Sequence, residues 1–289
     1  MKEGVNKEET DEISLHVPHH FDLQGAKLAG LTQAIAYKGI HEWENKPERN
    51  TTRLNLEKVR GDITDQTGSL ETNETIWSLI RKTPICLKIR QFFYKTLHGT
   101  QKIGRYWFNV QHYEERGICQ SCGDDETMDH ILTSCRHPTN TNLWDHARAL
   151  WPYKDGTWPN IALGTIIGCN ALDVETTREF KERDSTTWKR KLHDQGATRL
   201  LQILISETAY LIWTLQCERI IREQEHSYHE ITAAWRKVIN RRLSEDRTTA
   251  IKVLWRKQYT VLVENTWTRA LQKRHHDLPE DWIKRNVVF

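Results

Sequence analysis

Within seventeen residues the chain places Cys119, Cys122, His130 and Cys135 in the pattern C-x2-C-x7-H-x4-C. A two-residue gap lets two thiolates reach one ion from a tight turn, and zinc takes four N or S ligands in a tetrahedron. Gly117 and Gly123 supply the backbone freedom such turns need. Thr127–Cys135 contains no Gly or Pro and predicts a short helix. His130 and Cys135 lie five residues apart, more than one α-helical turn. The helix is therefore expected to end near Thr133 so that Cys135 can turn back, with His137-Pro138 favouring the stop. Four protein ligands leave no open position for water, so the expected Zn2+ is structural, not catalytic. Incidental thiols are the alternative. A thioredoxin-like use of Cys119-Gln-Ser-Cys122 is disfavoured because no strand pattern precedes it.

The other cysteines, Cys86, Cys169 and Cys217, sit beside Ile or Leu or within an apolar helix and read as buried thiols. Six cysteines at uneven spacing do not make a disulfide scaffold, so a reducing intracellular compartment, nucleus or cytoplasm, is expected. The amino terminus has no apolar signal-peptide core, and the most apolar run, Leu200–Leu215, is interrupted by Gln202, Ser206 and Glu207 and is too short to span a bilayer. No membrane association is expected. Twelve tryptophans fall among aliphatics at helical intervals, which favours their use in a core.

In chain order, residues 1–20 read as a disordered acidic tail. A helical segment over 21–70 carries Leu28, Leu31 and Ile35 before Pro47, then Leu54, Leu56 and Val59. Thr83-Pro84 reads as a helix start that launches Ile85, Ile89, Phe92, Phe93 and Leu97, with Gly99 closing the helix. Another helix follows Pro138 with Leu143, Trp144, Ala147, Leu150 and Trp151, and Trp158-Pro159 opens a turn over 161–168. Residues 170–187 are charged and predict a loop or linker. Three long helices are expected over about 188–225, 229–243 and 247–275. The second should bury Ile231, Trp235, Val238 and Ile239; the third should bury Ile251, Leu254, Trp255, Leu262, Trp267 and Leu271. Strand signals are nearly absent. The fold class is therefore all-α, a small zinc-knuckle helical domain over 71–169 followed by a long-helix bundle over 188–289.

Net charge is only +3, so no global basicity announces nucleic acid. Locally the balance differs. Eight Lys or Arg against two Glu lie between Arg81 and Arg116, interleaved with Tyr94, Tyr106, Trp107 and Phe108. The knuckle loop is acidic through Asp124, Asp125, Glu126 and Asp129. Zinc with three thiolates and a neutral imidazole carries about one net negative charge, so a phosphate backbone would be repelled there. Any phosphate grip is expected from Lys88, Arg90, Lys95, Lys102 and Arg105, although a solvated charged face over an apolar one describes that helix equally. From His229 to Phe289, thirteen Lys or Arg against seven Asp or Glu predict a second basic surface, again readable as the solvated face of a bundle.

Glu71-Thr-Asn-Glu-Thr-Ile-Trp77, Ile89–His98, Ile103-Gly-Arg-Tyr-Trp107, Arg116-Gly-Ile-Cys119, Cys122, Glu126–Leu132 and Cys135 together resemble the zinc-binding domain that follows reverse transcriptase in non-LTR retrotransposons, most of all in fungal elements. The resemblance continues through Trp144, Trp151, Leu163–Gly168 and Ile205–Trp213. Upstream, Gly25–Gly39 is similar to the segment that follows the ribonuclease H domain in those polyproteins. Lys2–Lys7 resembles the residues just beyond that nuclease's last metal-binding aspartate, which implies a chain beginning after the catalytic domains.

No carboxylate cluster, phosphate-binding glycine loop, nucleophile elbow or HExxH motif is visible, so no enzyme activity and no small-molecule substrate is expected. His19-His20 and His275-His276 read as plain surface residues. Expected partners are RNA or DNA and other retrotransposon-encoded domains. The alternative is a helical protein–protein interaction or scaffold protein with a purely structural or vestigial zinc site.

Overall fold

The computed structural model describes residues 31–44, 49–153, 158–181, 187–253, 257–285 and 287–289. The acidic tail, His19-His20, Pro47, Leu254 and Trp255 lie outside them. The chain divides into two units, residues 1–48 and 49–289. Among the described residues of the first, α1 (Gln33–Glu44) is a helix, with Leu31, Ile35 and Tyr37 exposed.

The second unit is all-α. Its elements are α2 (Asn50–Thr67), α3 (Asn73–Arg81), α4 (Leu87–Leu97), α5 (Pro138–Leu150), α6 (Leu163–Ile167), α7 (Gln195–Arg222), α8 (Tyr228–Lys252) and α9 (Lys257–Gln272). One hairpin joins them: antiparallel strands β1 (Glu175–Lys181) and β2 (Thr187–His193), with Phe180 opposite Trp188. β1 stands where the charged run over 170–187 predicted a linker, and β2 occupies the first residues of the helix expected over 188–225, so that helix begins only at Gln195. The run has the β-branched Thr and aromatic content that strands favour, and those residues outweigh its loop-like charge.

At the centre stands α7. Asp194 caps it by accepting from the Ala197 amide at 2.9 Å, and Ala197, Leu200, Leu201, Leu204, Ile205, Ala209 and Ile212 are buried around its circumference. An apolar helix with no polar face has to be enclosed. Accordingly α4, α5, α6, α8 and α9 all pack on it. By length and composition Gln195–Arg222 could cross a membrane, contrary to the sequence expectation that this region is too short; 72% of its most apolar window is buried within the protein.

The bundle also encloses charge. Arg199 forms a two-pronged pair with Asp246 at 2.7 Å for each prong, and the Trp267 indole donates to the same carboxylate at 2.7 Å. Glu207 on α7 meets Arg241 at 3.2 Å and Arg242 at 3.3 Å. Burial raises the Glu207 carboxyl above its ordinary range, against the pull of Arg242 and then Arg241. Arg242 and Arg247 are therefore buried, not part of a solvated basic face as the sequence suggested. Each also reaches a backbone carbonyl, Arg242 that of Pro84 and Arg247 that of Ile283.

Several boundaries differ from the sequence reading. Leu87, not Pro84, begins α4: Thr83 and Pro84 lie in the turn that follows α3, and Cys86, extended at φ −77° and ψ 159°, precedes the helix. Residues 243–247 run continuously through α8, so Ile251 ends on an exposed surface of that helix. The turn expected over 161–168 contains α6. Trp151, Trp235, Trp267 and Trp282 are core side chains, as their spacing implied. Among the thiols, Cys169 is fully buried, and burial pushes it up to about 12. Cys86 and Cys217 are only half-buried.

Gly196 lets α7 lie close against α9, since a Cβ there would lie 2.5 Å from the Asn265 backbone. Gly196→Ala is expected to destabilise the protein by about 1–3 kcal/mol, the usual cost of forcing atoms into a packed contact, measured as a lowered urea midpoint.

Candidate metal centre

The local chain path explains how four distant ligands meet. Ile118 and Asp125 pair as an antiparallel bridge, and between them Cys119 accepts from the Gly123 amide at 2.8 Å and donates its own amide to Asp124 at 2.8 Å. Gly123 completes this turn at φ +76°, a left-handed conformation with open space around it, so its role is backbone conformation and not clearance. The Arg136 amide donates to Cys122 Sγ at 3.2 Å and so points positive charge at that sulfur.

The second half is not the prematurely ended α-helix expected from sequence. His130–Ser134 is a π-helical turn, closed by the Cys135 amide donating to the His130 carbonyl at 2.8 Å. An i→i+5 turn returns the chain to the same side after five residues, so His130 and Cys135 face one point with no break between them. Cys135 then leaves in extended conformation. The turn is held from outside by α5, where Asn140 donates to the Ile131 carbonyl at 2.7 Å and Trp144 to the Leu132 carbonyl at 2.9 Å. His137 caps α5 by accepting from the Thr139 amide at 3.3 Å.

One ligand atom from each of Cys119, Cys122, His130 and Cys135 lies within 4.8 Å of all the others. Cys119 Sγ and Cys135 Sγ are 3.7 Å apart, close enough to share an ion and too far for an S–S bond, which is about 2.05 Å. His130 supplies a sharper indication. Its Nδ1 lies 3.5 Å from Ser134 Oγ and 3.8 Å from Asp124 Oδ2, while Nε2 is buried with no hydrogen-bond partner in the protein. Buried ring nitrogens rarely lack a partner, and a metal is one that fits this position. The four residues can hold one metal ion.

Burial pushes the Cys135 thiol up to about 12, and burial likewise raises Cys119. Both stay protonated near neutrality until a cation displaces the proton.

Behind the knuckle lies a residue that sequence placed only in an acidic loop. Glu126 is buried, accepts from Gln216 of α7 at 2.9 Å and faces Arg219 at 3.9 Å. Burial raises its carboxyl above the ordinary range, with Arg219 the main opposing influence. Arg116 pairs with Glu223 at 3.4 Å, and the His137 ring, which burial holds toward its neutral form, lies 3.7 Å from Glu225. The knuckle is thus fastened to the carboxy-terminal end of α7. No local spacing signalled these partners, because Glu126 and Gln216 are ninety residues apart in the chain.

The five cations proposed for phosphate divide in two. Lys88 lies over the Tyr210 ring at 4.9 Å, and Arg90 donates to the Ile85 carbonyl at 2.7 Å, so both are committed internally. Lys95, Lys102 and Arg105 are exposed. His275 bonds the Val288 carbonyl at 2.8 Å and joins no cluster with metal-ligand geometry among the described residues. The chain matches no protein-family model, no curated protein and no solved structure.

Native mass spectrometry is expected to find one metal ion per chain, lost in Cys119→Ser and in His130→Ala. Retention of metal by both variants would contradict the assignment. Because three thiols must give up protons on binding, metal affinity should rise with pH through the neutral range and fall on acidification, by up to about three powers of ten per pH unit. Competition with a chromogenic chelator across pH checks the sign.

Proposed function

We propose that this chain is a retrotransposon-derived, reverse-transcriptase-type zinc-binding protein, non-catalytic, which associates with element RNA or target DNA through basic residues beside a structural zinc site. The observation that carries the reading is the convergence of Cys119, Cys122, His130 and Cys135 on one point from residues that also bear the family resemblance.

Zinc suits this donor set. Three thiolates and an imidazole form a soft tetrahedral site, and Zn–S bonds of about 2.3 Å put neighbouring sulfurs about 3.8 Å apart, close to the 3.7 Å between Cys119 and Cys135. With every position filled by protein the ion activates no water, so its contribution is to folding. That contribution reaches the bundle through Glu126, Gln216 and Arg219.

Nucleic-acid association rests on Lys95, Lys102 and Arg105, which are exposed, whereas the less exposed Lys88 and Arg90 serve packing. A helical interaction or scaffold protein is the second reading. It is favoured by exposed Leu54, Leu70 and Leu87, which no electrostatic role explains.

Three phosphate contacts on a single strand should cost roughly 20-fold in affinity between 50 and 200 mM salt. Replacing Lys95, Lys102 and Arg105 together with Ala should flatten that dependence, as read by fluorescence anisotropy. A steep dependence that survives the triple substitution would remove these residues from the interface. Assembly by light scattering that ignores both salt and nucleic acid would favour the scaffold reading.

A further inference from the structure

Between α4 and the knuckle the chain makes two 3-10 turns, Gly104–Asn109 and Glu114–Gly117, which pack on one another. They bring several aromatic rings to one surface. Tyr106, Phe108 and Tyr113 are each between 41% and 42% exposed. Half-buried Trp107 joins them, 5.2 Å from Tyr106 and 6.2 Å from Tyr113 between ring centroids.

Cations are already seated on these rings. Lys102 Nζ lies 5.4 Å from the Tyr106 centroid, and the Arg116 guanidinium lies 4.4 Å from Tyr113 and 5.4 Å from Trp107. Arg105 is exposed in the first turn. The segment between the turns holds His112 at φ +69°, a left-handed conformation that costs a non-glycine residue of order 1–3 kcal/mol. That conformation immediately precedes Tyr113.

We infer that Tyr106, Phe108 and Tyr113, with Lys102, Arg105 and Arg116, form a stacking platform for the unpaired bases of single-stranded nucleic acid. The inference rests on the nucleic-acid reading above and narrows it to one class of ligand. Local charge decides the class. Lys102, Arg105 and Arg116 are opposed by Glu114 and Glu115 in the second turn and by Glu223, which pairs with Arg116 at 3.4 Å. A duplex, which offers phosphates and keeps its base faces stacked inside, gains little from so balanced a surface. A single strand offers base faces to exposed rings, and each stacked base is worth about 1–3 kcal/mol, a contribution added to that of the phosphate contacts and not set by net charge. Exposed Lys102 and Arg105 then meet the phosphates that flank each base, while Arg116, paired with Glu223, braces the Tyr113 and Trp107 rings.

The test uses the zinc-loaded full chain and anisotropy of labelled oligouridylate, oligothymidylate and a duplex of equal length. Both single strands should bind more tightly than the duplex. Tyr106→Ala and Tyr113→Ala should each weaken single-strand binding about fivefold or more and leave the weaker duplex binding unchanged. Tyr106→Phe, which keeps the ring, should bind as the parent does. Phe108 is left intact because its ring packs directly over Gly117. Should the alanine variants fold poorly, bromouridine photocrosslinking of the unmodified protein gives the same information, with adducts expected on residues 104–116. Equal binding of duplex and single strand, unaffected by ring removal but abolished by replacing Lys95, Lys102 and Arg105, overturns the platform and leaves the broader reading intact. Adducts confined to other segments also overturn the platform. Absence of binding to any of the three oligonucleotides overturns both.

Discussion

Enclosure of α7 is the constraint on which the second unit depends. Between Gly196 and Ile212 this helix buries residues all round its circumference, so the stretch cannot rest on a surface and water must be kept from it. Five helices supply that enclosure. Each fully buried Leu or Ile along it is worth about 1.5–3 kcal/mol, whereas the buried pairs Arg199–Asp246 and Glu207–Arg242 add little net stability, because desolvation offsets their attraction. Their effect is on register. A helix sliding along α7 by one turn would leave Glu207 or Asp246 buried without a partner, so the pairs fix which face of α8 meets which face of α7.

The same helix links core and metal centre. Its middle is held by aliphatics, while its last two turns offer Gln216, Arg219 and Glu223 to the knuckle. A ligand loop of this size has too few apolar side chains to fold alone, and the ion and the helix end supply what it lacks. Metal chemistry and helix packing thus meet at Glu126, a carboxylate whose burial is tolerable only with α7 in place.

Local features were legible in the sequence. The ligand spacing announced four convergent donors, and aliphatic and tryptophan periodicity announced α2, α4, α5, α7 and α8, because both signals are written within one or two turns of chain. Features that depend on distant partners were not. Nothing near Arg242 in the chain reveals that Glu207 awaits it, and nothing near Lys88 reveals the Tyr210 ring, so both cations read as solvent-facing. Thr83-Pro84 misled for another reason: Thr and Pro suit a turn as well as a helix start, and here they lie in the turn ahead of Cys86 and α4. The hairpin was hidden because its strands are as charged as a loop.

The π turn at His130–Ser134 bears on how such sites are found and how they change. A π turn is an α turn that has absorbed one additional residue, and its i→i+5 closure brings Cys135 to the position that an i→i+4 ligand would occupy. Deleting one of Ile131, Leu132, Thr133 or Ser134 would yield an ordinary helical turn with His and Cys still on one side. The gap between these two ligands is therefore a tolerance of the backbone and not a fixed signature. Patterns with three and with four intervening residues describe one site, separated by a single codon.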